Sequence, residues 1–89
     1  MPKLSELVAK AARRPYEIEL DDGTVVEVPQ PTLGAWQAAP FGGDVGEFLA
    51  HLGVGGDDAA RVQEVMAQAP LGTADELLSS MRGHFGLGN

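Results

Sequence analysis

The chain of 89 residues contains no cysteine, which excludes disulfides, thiolate nucleophiles and cysteine-ligated zinc together and fits a reducing cytoplasm. Long hydrophobic runs are also missing. Neither a secretory signal nor a membrane span is expected, and the protein is expected to stay in the compartment where it is made. Positive charge is scarce: 6 lysines and arginines stand against 13 acidic residues, for a formal net charge of −7. It is also unevenly placed, since Lys3, Lys10, Arg13 and Arg14 lead the chain and only Arg61 and Arg82 follow. A body this acidic repels phosphate backbones, so nucleic-acid binding is disfavoured, and the basic lead-in reads as a solvated helix face.

Reactive constellations are missing as well. His51 and His84 are isolated imidazoles with no second histidine at ligand spacing, so surface or core-edge roles fit them better than metal binding. Ser5, Ser79 and Ser80 lie in helical patterns without a glycine-flanked elbow. Asp21-Asp22-Gly23 would suit a calcium loop only if acids replaced Ile18 and Leu20. The glycines at Gly53, Gly55 and Gly56, and at Gly83, Gly86 and Gly88, follow helical rather than strand patterns, the wrong context for a phosphate cradle. Asp57-Asp58 and Asp75-Glu76 fall in first turns, where the helix dipole accounts for them. An acyl carrier would need an Asp-Ser-Leu attachment site, which is absent. The expectation is therefore no enzyme activity, no cofactor and no metal.

What is present begins with Tyr16 to Val28, which reads as a β-hairpin. A three-residue Asp21-Asp22-Gly23 loop, with Gly23 left-handed, sets Tyr16 opposite Val28, Ile18 opposite Val26 and Leu20 opposite Thr24. One face is then apolar, and Glu17, Glu19, Val25 and Glu27 share the other. A two-residue loop would mix the faces. Because a lone hairpin is barely stable in water, this one requires helices or a second copy of itself over its apolar side.

Around the hairpin the periodicity is helical. Leu4, Leu7, Val8 and Ala11 predict a helix from about Lys3 to Arg13, stopped by Pro15. Pro29-Gln30-Pro31 ends the sheet, and Thr32 caps a short turn carrying Leu33 and Trp36. Asp44 is the expected N-cap of a helix presenting Val45, Phe48, Leu49 and Leu52, with Gly53 as terminator and Val54 folding back. Asp57 or Asp58 is expected to start a helix carrying Val62, Val65, Met66 and Ala69. A capping box of Thr73 and Glu76 is expected to open the last, which bears Ala74, Leu77, Leu78, Met81 and Phe85 and ends at Gly86, with Leu87 closing back on Met81. The whole is one α+β domain over residues 1–89, mostly helical: a helix at 3–13, a hairpin at 16–28 and four to five short helices in all, the rest within 32–87.

Such a domain buries roughly two-thirds of its unfolded surface, a modest core. Phe48, Met66, Leu77, Leu78, Met81, Phe85 and Leu87 suffice to build that core, yet side chains left uncovered form a contact surface to which methionine adapts well. Leu77, Leu78, Met81 and Phe85, with Leu87 and Met66 beside them, are the expected partner-binding residues. Tyr16, Ile18, Val26 and Val28, or the last helix, are the expected means of homo-oligomerisation.

The order of elements carries a resemblance. A helical lead-in, the proline-closed segment "YEIELDDGTVVEVPQP" and the helix "PLGTADELLSSMRGHFGLG", ending in Phe85-Gly86-Leu87-Gly88, resemble the tail assembly chaperones of long-tailed bacteriophages over most of the chain. The resemblance implies a protein without enzymatic activity, working in the host bacterial cytoplasm and absent from the mature virion. Its partners would be the tape-measure protein, which it coats and keeps soluble, and the tail-tube protein, recruited by an extended form made through ribosomal frameshifting. This sequence would correspond to the short form. Two other classes fit the same composition: a structural tail-completion or head-to-tail component retained in the virion, and a small acidic regulator such as an antitoxin or DNA-mimicking inhibitor.

Overall fold

In the computed structural model, which describes residues 1–86, the chain runs α1 (Leu4–Ala11), β1 (Tyr16–Glu19), β2 (Val25–Val28), α2 (Leu33–Gln37), α3 (Val45–His51), α4 (Gly56–Ala67) and α5 (Thr73–Phe85). The fold class is α+β, with five helices and one two-stranded antiparallel hairpin among the described residues.

Turn chemistry fixes the hairpin. Tyr16 pairs with Val28 and Ile18 with Val26, the register expected from the apolar alternation. Gly23 sits at φ 88°, a left-handed conformation that a side chain would strain. Its N–H donates to the Leu20 carbonyl at 2.9 Å, and the Leu20 N–H donates to Thr24 at 2.8 Å, closing the three-residue loop. The Asp22 carboxylate accepts from the Thr24 N–H at 2.9 Å. That bond, assisted by the Thr24 hydroxyl, holds the Asp22 pKa below its ordinary value.

The apolar face of the hairpin is sealed by the chain's own helices. Val26 and Val28 are fully buried in one cluster with Leu49, Val62 and Met81, joined by Phe48, Leu52, Val54, Ala59 and Phe85. This corrects the expectation that Val26 and Val28 self-associate: a face already covered has no apolar area left to give a second copy. Tyr16 and Ile18, on β1, are only half-buried. The cover therefore ends at β1.

Helix α3 lies against α4 at very short range. A β-carbon placed on Gly46 would stand 2.9 Å from the Gln63 β-carbon and 3.1 Å from the Ala59 carbonyl oxygen, so only glycine permits this approach. The Gly46 N–H also donates to the Gln63 side chain at 3.1 Å. Asp44 caps α3 as expected, accepting from the Glu47 N–H at 2.7 Å, and Thr32 caps α2 by accepting from the Ala35 N–H at 3.0 Å. Gly53, at φ 107°, ends α3 and lets the Val54 N–H reach the Leu49 carbonyl at 3.0 Å.

Two helix starts differ from expectation. Neither Asp57 nor Asp58 caps α4; Gly55 holds the N-cap position and both aspartates lie in the first turn. Nor does Thr73 form a capping box with Glu76. Gly72, at φ 100°, is the N-cap residue of α5, which places Thr73 one position inside the helix, where its hydroxyl donates to the Pro70 carbonyl at 2.7 Å. The expected return of Leu87 onto Met81 lies outside the described residues.

Helix α1 forms over fewer residues than expected, and its apolar stripe stays exposed. Leu4, Leu7 and Val8 are 76%, 47% and 64% exposed. The helix is held only where it ends: the Gln30 side chain accepts from the Arg13 N–H at 2.8 Å and donates to the Ala11 carbonyl at 2.9 Å. The molecule is consequently elongated, at 49 × 26 × 20 Å. Its radius of gyration is 14.0 Å, against about 12 Å for a spherical domain of this length.

Candidate functional site

Where β1 meets α4 and α5, incomplete cover of the hairpin leaves an apolar groove of 340 Å³. Ile18 and Leu20 enter it from the hairpin, Val62, Val65 and Met66 from α4, and Leu77 from α5. Strand alternation puts Ile18 and Leu20 on the same face as Tyr16, and helical spacing puts Val62, Val65 and Met66 on one side of α4. Val62 belongs to the sealed core, whereas Val65 is 50% exposed. The groove is thus an opening onto the core. At one end the Tyr16 hydroxyl bonds the Ser80 hydroxyl across 2.7 Å, tying β1 to α5.

The rim is acidic. Glu19 and Asp21 stand on the hairpin side and Glu76 on α5. The concavity shares Leu20, Asp21 and Val65 with a more polar recess lined by Asp22, Arg61 and Glu64. Arg61 is the basic group there, 3.9 Å from Asp58 in an exposed pair and near enough to Asp22 to favour its charged form; among the described residues Glu19, Asp21 and Glu76 have no ion-pair partner.

The expected partner-binding residues divide. Met66 and Leu77 line this groove, together with Tyr16 and Ile18 from the expected self-association set. Leu78 lines a separate, small concavity with Phe41, Val45 and Phe48, which Leu77 also borders. Met81 and Phe85 are corrected: at 0% and 4% exposure they are core, because their positions on α5 point into the space beneath the hairpin. They have no surface to offer a partner in this state. Leu87 lies outside the described residues.

Three contributors were not singled out from the sequence. Leu20 and Val65 complete the groove, and the Leu20 alternation and Val65 spacing were legible without indicating exposure. Phe41 joins Trp36 and Phe48 in an aromatic cluster with ring centroids 5.2 to 5.7 Å apart; nothing periodic marks it.

Both histidines act as fasteners. The His84 Nε2 donates to the Arg14 carbonyl at 2.7 Å, and its ring meets Tyr16 and Phe85 edge-on at 5.4 and 5.0 Å. The His51 Nε2 donates to the Ala35 carbonyl at 3.2 Å. Another concavity, of 460 Å³, lies beside His84 and is lined by Arg14, Glu17 and Glu27, so it carries charge of both signs. Among the described residues no three acidic or imidazole groups converge as a metal site would require, and no helix is long and apolar enough to cross a membrane.

Chemically, the groove offers non-directional burial for an apolar stripe and carboxylates for positive charges beside it. Comparison of the chain with protein-family profiles, with curated proteins and with solved structures finds no match.

Proposed function

We propose that this protein is an assembly chaperone that takes an apolar helical stripe of its client into the groove between β1, α4 and α5. In keeping with the resemblance to phage tail assembly chaperones, the client is the tape-measure protein, held soluble in the host cytoplasm until tail-tube subunits replace the chaperone. The observation carrying this reading is the opening of the core at Ile18, Leu20, Val65, Met66 and Leu77. An uncovered apolar concavity flanked by polar groups is what helix-in-groove recognition requires. A shallow site of this size binds weakly on its own, as a chaperone that must leave its client requires. Many copies along a long client supply avidity.

The test is capture of the tape-measure protein by the wild-type chain and by a Leu20→Asp, Val65→Asp variant shown to be folded by circular dichroism. The proposal predicts capture by the first and loss by the second. Equal capture by both removes the groove from the account, and absence of capture by the wild type removes the client. Met81 is unsuited to this test, since a carboxylate there would be buried in the core.

A further inference from the structure

We propose that α1 of a second copy of this chain is a ligand of the groove, an inference that rests on the groove being a helix acceptor. Helix α1 presents Leu4, Leu7 and Val8 along one face and buries none of them. Its own groove is out of reach while the Gln30 clamp holds Ala11 and Arg13, because that clamp fixes the direction in which the helix leaves the body. The dimensions agree. Eight residues of helix span about 12 Å, and the β1 side of the groove from Tyr16 to Leu20 spans about 14 Å.

Charge selects the same pairing. Of the 13 acidic residues only Glu6 belongs to the lead-in, whereas Lys3, Lys10, Arg13 and Arg14 are four of the 6 basic ones. Two bodies therefore repel one another. A contact that sets Lys3 and Lys10, in line with Leu7 on the helix, against Glu19, Asp21 and Glu76 turns that repulsion into attraction. The contact is heterologous, so two copies either exchange helices reciprocally or propagate into a row. In both arrangements the groove stays covered until a client displaces α1.

Sedimentation velocity over a range of concentrations tests this on the full chain. Because Lys3, Leu4, Val8 and Lys10 are all exposed, Leu4→Asp, Val8→Asp and Lys3→Glu, Lys10→Glu leave the body folded. Glu19→Lys, Glu76→Lys reverses exposed rim charges. The wild type is expected to self-associate, more weakly in high salt, and each double variant to associate at least about tenfold more weakly. Mixing the Lys3→Glu, Lys10→Glu chain with the Glu19→Lys, Glu76→Lys chain is expected to restore binding, because each helix then meets a rim of opposite charge on the other chain, and combining all four reversals in one chain is expected to restore it as well. A wild type that is monomeric throughout, association indifferent to the α1 substitutions, or failure of the fourfold variant to recover overturns the proposal. So does binding of the intact chain to phosphatidylglycerol vesicles without self-association. Capture of the client by the Leu4→Asp, Val8→Asp chain reports separately on the groove: if capture persists while the wild type is monomeric, the α1 assignment alone fails.

Discussion

Gly46→Ala is a one-carbon perturbation whose sign depends on the packing of α3 against α4. The added β-carbon would lie 2.9 Å from the Gln63 β-carbon and 3.1 Å from the Ala59 carbonyl oxygen, whereas carbon contacts settle near 3.5–4.0 Å. The helices must separate by roughly 0.6 Å or Gln63 must move, and the second course strains the bond it accepts from the Gly46 N–H. Overpacking of this kind costs about 1–3 kcal/mol, and the weakened hydrogen bond adds up to about 1 kcal/mol. Replacing a helical glycine returns at most about 1 kcal/mol. With each contribution at the middle of its range the net loss is about 2 kcal/mol, a lowering of Tm by roughly 8–16 °C for a domain this small. Gly83, inside α5, is the control, because a β-carbon there meets nothing within 4 Å. Gly83→Ala is expected to raise Tm by a few degrees, reflecting about 0.5–1 kcal/mol. Thermal unfolding followed by circular dichroism measures both. A Gly46→Ala protein as stable as the wild type would refute the close approach of α3 and α4.

Further outcomes follow from the same packing. Met81→Ala is expected to cost about 2–5 kcal/mol, and Val65→Ala, at a half-exposed position, about 0.5 kcal/mol or less; equal losses in denaturant titration would contradict the division between core and groove. Gln30→Ala removes both bonds that hold the end of α1, so exchange of the Arg13 amide with solvent should quicken markedly while the core amides keep their protection. Asp22 is held below its ordinary pKa of 3.8 by the Thr24 N–H. Its support of the hairpin turn is therefore present above that value and is lost as pH falls through the lower folded value. An NMR titration of the Asp22 carboxyl should give a midpoint below 3.8, and a midpoint at or above it would deny the turn bond.

Most of the fold was legible because local signals agreed. At Tyr16 to Val28 the turn residues and the apolar alternation specify one register, and the structure has it. Asp44 and Thr32 cap as their side chains dictate. The starts of α4 and α5 were misplaced because glycine caps without a side chain, and Gly72 adds a left-handed step that no periodicity reports. The candidate site was half legible. A stripe such as Leu77, Leu78, Met81 and Phe85 marks the inward side of a helix, but which members reach the centre depends on elements distant in sequence. Here the hairpin covers Met81 and Phe85 and leaves Leu77 at an opening. The exposure of α1 was hidden for the same reason: its amphipathic pattern calls for a partner surface without stating where that surface lies.

The most direct measurement is an NMR titration of the isotopically labelled chain with tape-measure protein, following the methyl groups of Ile18, Leu20, Val65, Met66 and Leu77. The account predicts that these shift together and saturably, while Leu33, exposed on α2 away from the groove, stays still. Saturable binding that leaves the five groove methyls unmoved would contradict it.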